Sequence, residues 1–396
     1  MTASIKKYRQ LRTDVIKHLY YGKMLTLTEL SNLTHKSLPL ITTVVNDLVA
    51  DGYVLESGLA PSTGGRRALT FLLNKKKQRF IIAVAMDQLV TQIAIYDLLN
   101  QVRIEPQLLQ FSLKDDPAVT QTLISVLKNY ILESGIPLHQ ILGVGIGMPG
   151  FVNAAEGVNH TFFNVQGDVN LRKHLTDELG LPVFIDNDSS LIALAELKFG
   201  AGKGLNDVMV VNVGWGIGLG MIINGSLFRG HSGYAGEFSH IPLSQSNKLC
   251  SCGKRGCLEV DTSLLVLVER AKLQIEEGMS SSLEQRFLDT SKLHGDHFLE
   301  AAKAGDPLAV SILADAAFLI GKGLATLIHI INPELIVLGG RGTIAGKMMM
   351  APIQQAIHEF CIPRLAEHTD VKVSELGTES GLLGAATLVI ENCNFN

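Results

Sequence analysis

Four residues able to hold a metal crowd into one stretch of the second half of the chain: His240, Cys250, Cys252 and Cys257. Thiolate sulfur and imidazole nitrogen are donors that Zn²⁺ favours, and three Cys with one His fill a tetrahedron, leaving no position for water or substrate. The spacing therefore predicts a structural Zn²⁺ site, with Gly253 and Gly256 supplying the sharp bends that bring the sulfurs to one ion. Three cysteines this close are too crowded for three separate disulfide partners. The N-terminus has no apolar signal core, so a cytoplasmic chain is expected, in which clustered cysteines read as metal ligands first. A second cluster, Asp186-Asn187-Asp188, falls between a strand and a helix. A carboxylate there either accepts a proton or hydrogen bond from a hydroxyl group, or only caps the helix that follows. A third feature, Gly214-Trp215-Gly216-Ile217-Gly218-Leu219-Gly220, is glycine-rich, which alone is a weak sign of phosphate binding.

The first 79 residues carry 13 Lys and Arg against 5 Asp and Glu, whereas the rest carries 21 against 33. A basic end on an acidic body suits a polyanion-binding module joined to something else. Its pattern is three helices and a β-ribbon. Leu11, Val15, Ile16 and Leu19 have helical spacing, and Thr26-Leu27-Thr28-Glu29 fits a capping box that opens a second helix ending near Thr34. Ser37 is the candidate N-cap of a third helix, with Pro39 in its first turn, Ile41, Val45 and Leu48 as a buried stripe, and Gly52 as its stop. Extended pieces at 53–56 and 68–73 flank a turn-rich wing. This is the order of a winged helix-turn-helix. Ser37, Thr42, Thr43 and Asn46 on the outer face of the third helix, with Arg66 and Arg67 on the wing, are the candidate contacts to operator DNA.

Lys75 to Arg79 read as a linker. Beyond it, strands alternate with helices in two successive β-β-β-α-β-α units, the α/β pattern of the actin-like ATPase and sugar-kinase fold, two lobes with ligands held in the cleft between them. The expected domains are 1–74 for the winged helix-turn-helix, 79–190 for the first lobe with a helix at 381–396 packing back, and 191–380 for the second lobe with the zinc site. A hydrophobic share of 46% supports large packed cores, and no apolar run is long enough to span a membrane.

Gly236-Glu237-Phe238-Ser239-His240, followed by Cys250-Ser251-Cys252-Gly253-Lys254-Arg255-Gly256-Cys257-Leu258-Glu259, resembles the signature of the ROK family of repressors, uncharacterised reading frames and kinases. Ser239 stands where that family usually has Gly. The resemblance runs over residues 79–390, and the winged helix ahead of it resembles the repressor branch, typified by the N-acetylglucosamine repressor. It implies that Asp188 occupies the position of the kinases' general base. It also implies that Asn187, Glu237, His240 and Glu259 hydrogen-bond sugar hydroxyls, His240 serving both zinc and sugar. ROK kinases open with Asp-x-Gly-Gly-Thr, where this chain has Ala85-Met86-Asp87-Gln88-Leu89, and Trp215 replaces a hydroxyl residue in the second phosphate loop. The expectation is a sugar-responsive DNA-binding repressor without kinase activity, with an ATP-dependent hexose or hexosamine kinase as runner-up. Its expected partners are operator DNA, a monosaccharide or sugar phosphate, and a second copy of itself in a homodimer or tetramer; no membrane is expected among them.

Overall fold

The computed structural model describes residues 3–59, 67–110, 113, 118–163 and 170–395. The chain divides into two compact units: residues 1–146, 156–185 and 385–396, and residues 147–155 and 186–384.

In the first unit, α1 (Ala3–Gly22) buries Leu11, Val15, Ile16 and Leu19 as their spacing predicts. The chain then forms β1 (Met24–Thr26), α2 (Leu27–Thr34) and α3 (Leu38–Ala50). The capping box is complete: Glu29 N donates to Thr26 Oγ1 at 3.2 Å, and Thr26 N donates to Glu29 Oε2 at 2.7 Å. His35 closes α2 in the left-handed region (φ 54°), giving the tight turn between the two helices. Ser37 occupies the N-cap position of α3 but makes no capping bond. Gly52, at φ 74°, turns the chain out of α3. β2 (Val54–Leu59) and β3 (Leu69–Leu73) form the ribbon, and β1 pairs with β3 to make the sheet β1-β3-β2. The sequence did not announce β1. Three residues form a strand here because β3 offers an open edge.

The same unit continues through β4 (Phe80–Met86), β5 (Val90–Asp97), β6 (Val102–Gln110), α4 (Val119–Glu133), β7 (Ile141–Met148), α5 (Leu171–Leu179) and β8 (Val183–Asn187), in a sheet ordered β8-β7-β4-β5-β6. β4, β5 and β6 pair antiparallel. Gly145 in β7 has no room for a side chain, because a Cβ there would strike the backbone of Ala385.

The second unit repeats the plan. α6 (Asp188–Phe199) starts directly after Asn187, whose side chain supplies the cap. β9 (Val208–Val213), β10 (Ile217–Ile223), β11 (Ser226–Leu227), β12 (Leu335–Gly339) and β13 (Asp370–Val373) form a sheet ordered β11-β10-β9-β12-β13. β9 and β10 are antiparallel, while β9, β12 and β13 run parallel. α7 (Leu264–Glu276), α8 (His294–Lys303), α9 (Pro307–Ile331), α10 (Gly346–Phe360) and α11 (Ser380–Asn392) complete it, the division between units falling within α11. α8, α10 and β13 are elements that the sequence pattern did not mark. Ile192 and Ala193 of α6 pack on Val208, Val210, Ile222, Leu335 and Val337. Among the described residues only α9 is long and apolar enough to cross a membrane; it is a core helix, burying Leu308, Ile312, Leu313, Ile320 and Leu324.

Candidate functional site

The metal-binding candidates meet. One donor atom each from His240, Cys250, Cys252 and Cys257 lie within 4.8 Å of one another. Cys250 Sγ is 3.6 Å from His240 Nδ1, and Cys252 Sγ is 3.6 Å from Cys257 Sγ. A zinc tetrahedron built on ordinary bond lengths has sulfur–sulfur edges of about 3.8 Å and sulfur–nitrogen edges of about 3.6 Å. The donor set thus fits a four-coordinate ion, and all five cysteines are free thiols. The loop is shaped for it: Gly253 and Gly256 adopt φ 83° and 74°, and Cys250 N donates to Lys254 O at 2.7 Å.

Beside this cluster lies a set of carboxyl groups. Asp188 opens α6, its Oδ1 accepting from Ser189 N at 2.8 Å and its Oδ2 from Asn212 Nδ2 at 3.2 Å. Asn212 was not foreseen. Its signal is a lone polar residue in the apolar strand Val-Met-Val-Val-Asn-Val. Helix capping, considered for Asp186 and Asp188, falls to Asn187, whose Oδ1 accepts from Ser189 N and Ser190 N at 3.0 and 3.2 Å. Asn187 Nδ2 donates to Gly150 O at 3.3 Å. Asp186 is buried and ion-paired with Arg229. Loss of hydration, then the charges of Glu259 and Asp188, push the Glu237 carboxyl up to about 7. That mutual repulsion marks the three acids as neighbours. His240 turns Nε2 towards Glu237 Oε2 at 3.6 Å while its Nδ1 faces the thiols. Phe151 stacks on His240 with centroids 6.3 Å apart, and Tyr234 meets Phe151 edge-on. No sequence signal pointed to Phe151. Carboxyl groups, an imidazole and an aromatic face suit a polyol, whose hydroxyls donate and whose C–H face is apolar.

The glycine-rich turn has its own logic. Gly218 and Gly220 of β10 let α6 pack closely, since a Cβ at 218 would strike Ser189 Oγ and one at 220 would strike Ser189 O and Ala193. Trp215 is only 4% exposed, and its ring fills the space over Gly295. Arg341 lies over that ring at 5.4 Å and pairs with both Asp296 oxygens at 2.8 and 3.0 Å. In the β4–β5 turn, Asp87 Oδ1 accepts from Leu89 N and Val90 N at 2.8 and 2.7 Å.

On the helical head, Ser37, Thr43 and Asn46 are exposed and Thr42 is half-buried. The hydroxyls of Thr42 and Thr43 donate to Leu38 O and Pro39 O at 2.8 and 3.1 Å. Arg67 is exposed; Arg66 lies outside the described residues.

Residues 91–392 match the ROK family profile. The chain is 27% identical to a xylose repressor of Caldicellulosiruptor bescii over 383 residues, covering 96% of this chain and 94% of that protein. It is 33% identical to a glucokinase of Halalkalibacterium halodurans over 256 residues, 64% of this chain and 78% of the relative. Among solved structures it resembles a ROK family transcriptional regulator, a homologue of the Escherichia coli Mlc protein, at 24% identity and TM-score 0.76, covering 96% of both chains. The likeness to the repressor covers nearly the whole chain, whereas that to the glucokinase covers about two thirds of it. Sheet order, signature residues and family match agree: the chain has the mixed α/β sugar-kinase-like fold and belongs to the ROK family.

Proposed function

We infer that this protein is a sugar-responsive transcriptional repressor. One observation carries the reading: a head of three helices and a three-stranded ribbon shares its chain with converging Asp188, Glu237, Glu259 and His240. Residues 1–74 form the DNA-binding domain, residues 79–190 with the C-terminal segment 381–396 the first lobe, and residues 191–380 the second lobe. Ser37, Thr42, Thr43 and Asn46 reach base edges or phosphates, and Arg66 and Arg67 hold the wing to the duplex. Asp188, Glu237 and Glu259 accept hydrogen bonds from sugar hydroxyls. Asn187 orients Asp188 through the helix cap and offers its amide, and His240 joins metal loop to sugar. Zn²⁺ held by His240 and the three cysteines is structural, fixing the segment that carries Glu237 and Glu259. A symmetric homodimer or tetramer matches a palindromic operator.

The chain is not a kinase on this reading. Phosphoryl transfer depends on a cradle of amides and cations around the phosphates. The amides of Leu89 and Val90 are taken by Asp87, and Trp215 with Arg341 and Asp296 fills the second loop's surroundings. Gly218 and Gly220 of that loop are accounted for by the close packing of α6, with no need of a nucleotide.

The test is a thermal-shift and operator-binding screen of the full chain against monosaccharides and sugar phosphates. At least one sugar should raise the melting temperature and change operator affinity, and Asp188→Asn should weaken that sugar roughly tenfold or more. No response to any sugar, or sugar-dependent consumption of ATP, would overturn the reading.

A further inference from the structure

A cavity of about 520 Å³ opens at the joint between the head and the first α/β sheet, within the first unit and apart from the carboxylate cluster. One wall is the linker, Asn74, Lys75, Lys76, Gln78 and Arg79; the other is the end of β5 and the turn after it, Asp97, Leu98, Gln101 and Arg103. Four cations face one carboxylate. That carboxylate is largely spent: Asp97 Oδ1 accepts from Leu99 N and Gln101 N at 2.8 and 3.0 Å, and Oδ2 lies 3.8 Å from Arg103 Nη1. Arg79 is anchored, its Nη1 donating to His139 O, yet its Nε is buried and has no acceptor among the described residues. Its guanidinium group lines the cavity beside Lys75, Lys76 and Arg103, and an anion there would meet charge-assisted donors.

We propose that this cavity binds a small phosphate monoester, phosphate on the Lys76, Arg79 and Arg103 side and organic body over Phe80 and Leu98. Both apolar residues are buried and line the floor, and Asn74, Gln78 and Gln101 offer amides to hydroxyl groups. The volume exceeds what a bare phosphate needs and lies in the range of small-molecule sites. The linker that supplies three of these cations adjoins the far end of the third helix, away from the end that would read bases. Lys77 Nζ, in the same linker, donates to Asp51 O at 2.6 Å and lies 4.3 Å over the Tyr53 ring, just past the C-terminus of α3. A helix-turn-helix reads bases with the N-terminal residues of that helix, about 18 Å away along its axis. A ligand here would touch the linker and the sheet at once, and so would set how firmly the head is held.

The test is calorimetric titration of the full chain, in phosphate-free chloride buffer, with inorganic phosphate, ribose 5-phosphate and ribose. Saturable binding of ribose 5-phosphate, weaker binding of phosphate and none of ribose are expected. Lys76→Gln and Arg103→Gln, both at exposed side chains, should each weaken binding roughly tenfold. Asp188→Asn should leave it unchanged. The proposal falls if ribose 5-phosphate does not saturate, or if both Gln variants bind as the parent does. It falls equally if binding is lost in Asp188→Asn, which places the ligand among the carboxylates. It also falls if the Gln variants lose only affinity for DNA, which makes the patch a contact to the duplex.

Discussion

At the residue scale the chemistry gathers on His240. Its two nitrogens face different partners, thiols on one side and Glu237 on the other. A metal on Nδ1 would fix the tautomer and aim Nε2 into the carboxylate cluster. Cys252 is the half-exposed cysteine of the set, so Cys252→Ser removes one sulfur without opening the core. Bound zinc, measured by elemental analysis, should fall from one per chain towards zero, and the melting temperature should drop by about 5 °C or more. Sugar-induced stabilisation should weaken alongside. Full zinc occupancy with an unchanged melt would show that these four residues hold no structural ion. The clustering of these four side chains was legible because thiols and imidazole carry their chemistry in their identity, and the spacing Cys-x-Cys-x₄-Cys has few other uses. Asn212 and Phe151 were not, since an amide or a phenyl ring gains meaning only from what the fold sets beside it.

At the element scale, caps and close contacts decide where the site residues stand. Asp306 opens α9, Oδ1 accepting from Ala309 N at 3.1 Å and Oδ2 from Ser282 N at 2.8 Å. Burial pushes its carboxyl up, but the hydrogen bonds from Ala309 and Ser282 outweigh it and leave the group below its ordinary value. Asp306→Ala should cost about 1–2 kcal/mol in denaturant unfolding at neutral pH. A lowered folded pKa means that the cap's contribution is present above the unfolded value of about 3.9 and is lost as pH falls through the folded one. The gap between parent and variant should therefore close only in acid; a gap constant across that range would rule out an ionised cap. Gly384 in α11 is a close-contact case, because a Cβ there would strike the carbonyl of Leu191 in α6, three residues past Asp188. Gly384→Ala should cost about 1–3 kcal/mol by overpacking, and an unchanged melt would show that α6 yields freely. Locally specified elements were readable: the Thr26–Glu29 box and the apolar stripes of α1 and α3 appear where their spacing puts them. α8 escaped because two histidines, Gly295 and Asp296 break up its apolar side, and α10 because Pro352 lies within it. β1 and β13 are short, and each gains its hydrogen bonds from a strand distant in sequence.

At the scale of the whole molecule, repression by this chain requires that the head respond to a ligand bound elsewhere. Among the described residues, contacts to the C-terminal segment help to hold the head to the rest of its unit. Tyr21 Oη donates to Glu391 Oε1 at 2.7 Å, Lys17 Nζ donates to Glu391 O at 2.7 Å, and Tyr53 meets Phe395 edge-on. Tyr20 adds a bond from its buried hydroxyl to Asn100 Oδ1 at 2.9 Å. Burial, reinforced by the Glu391 charge, pushes the Tyr21 hydroxyl up, so it remains a donor at every physiological pH. Glu391 lies on α11, the helix that also carries Gly384. If α11 relays sugar binding, the Tyr21–Glu391 bond should show a coupling energy in operator binding as well as in stability. In a double-mutant cycle of Tyr21→Phe and Glu391→Gln, the sugar-induced change in operator affinity should shrink in each single variant. The double should shrink it no further, with a coupling of about 0.5–2 kcal/mol. Hydrogen exchange in α1 should quicken in the same variants, since the helix loses its anchor. Quicker exchange with an undiminished sugar response would make the contact a fastening only, and the signal would then have to reach the head through the linker at Lys75 to Arg79.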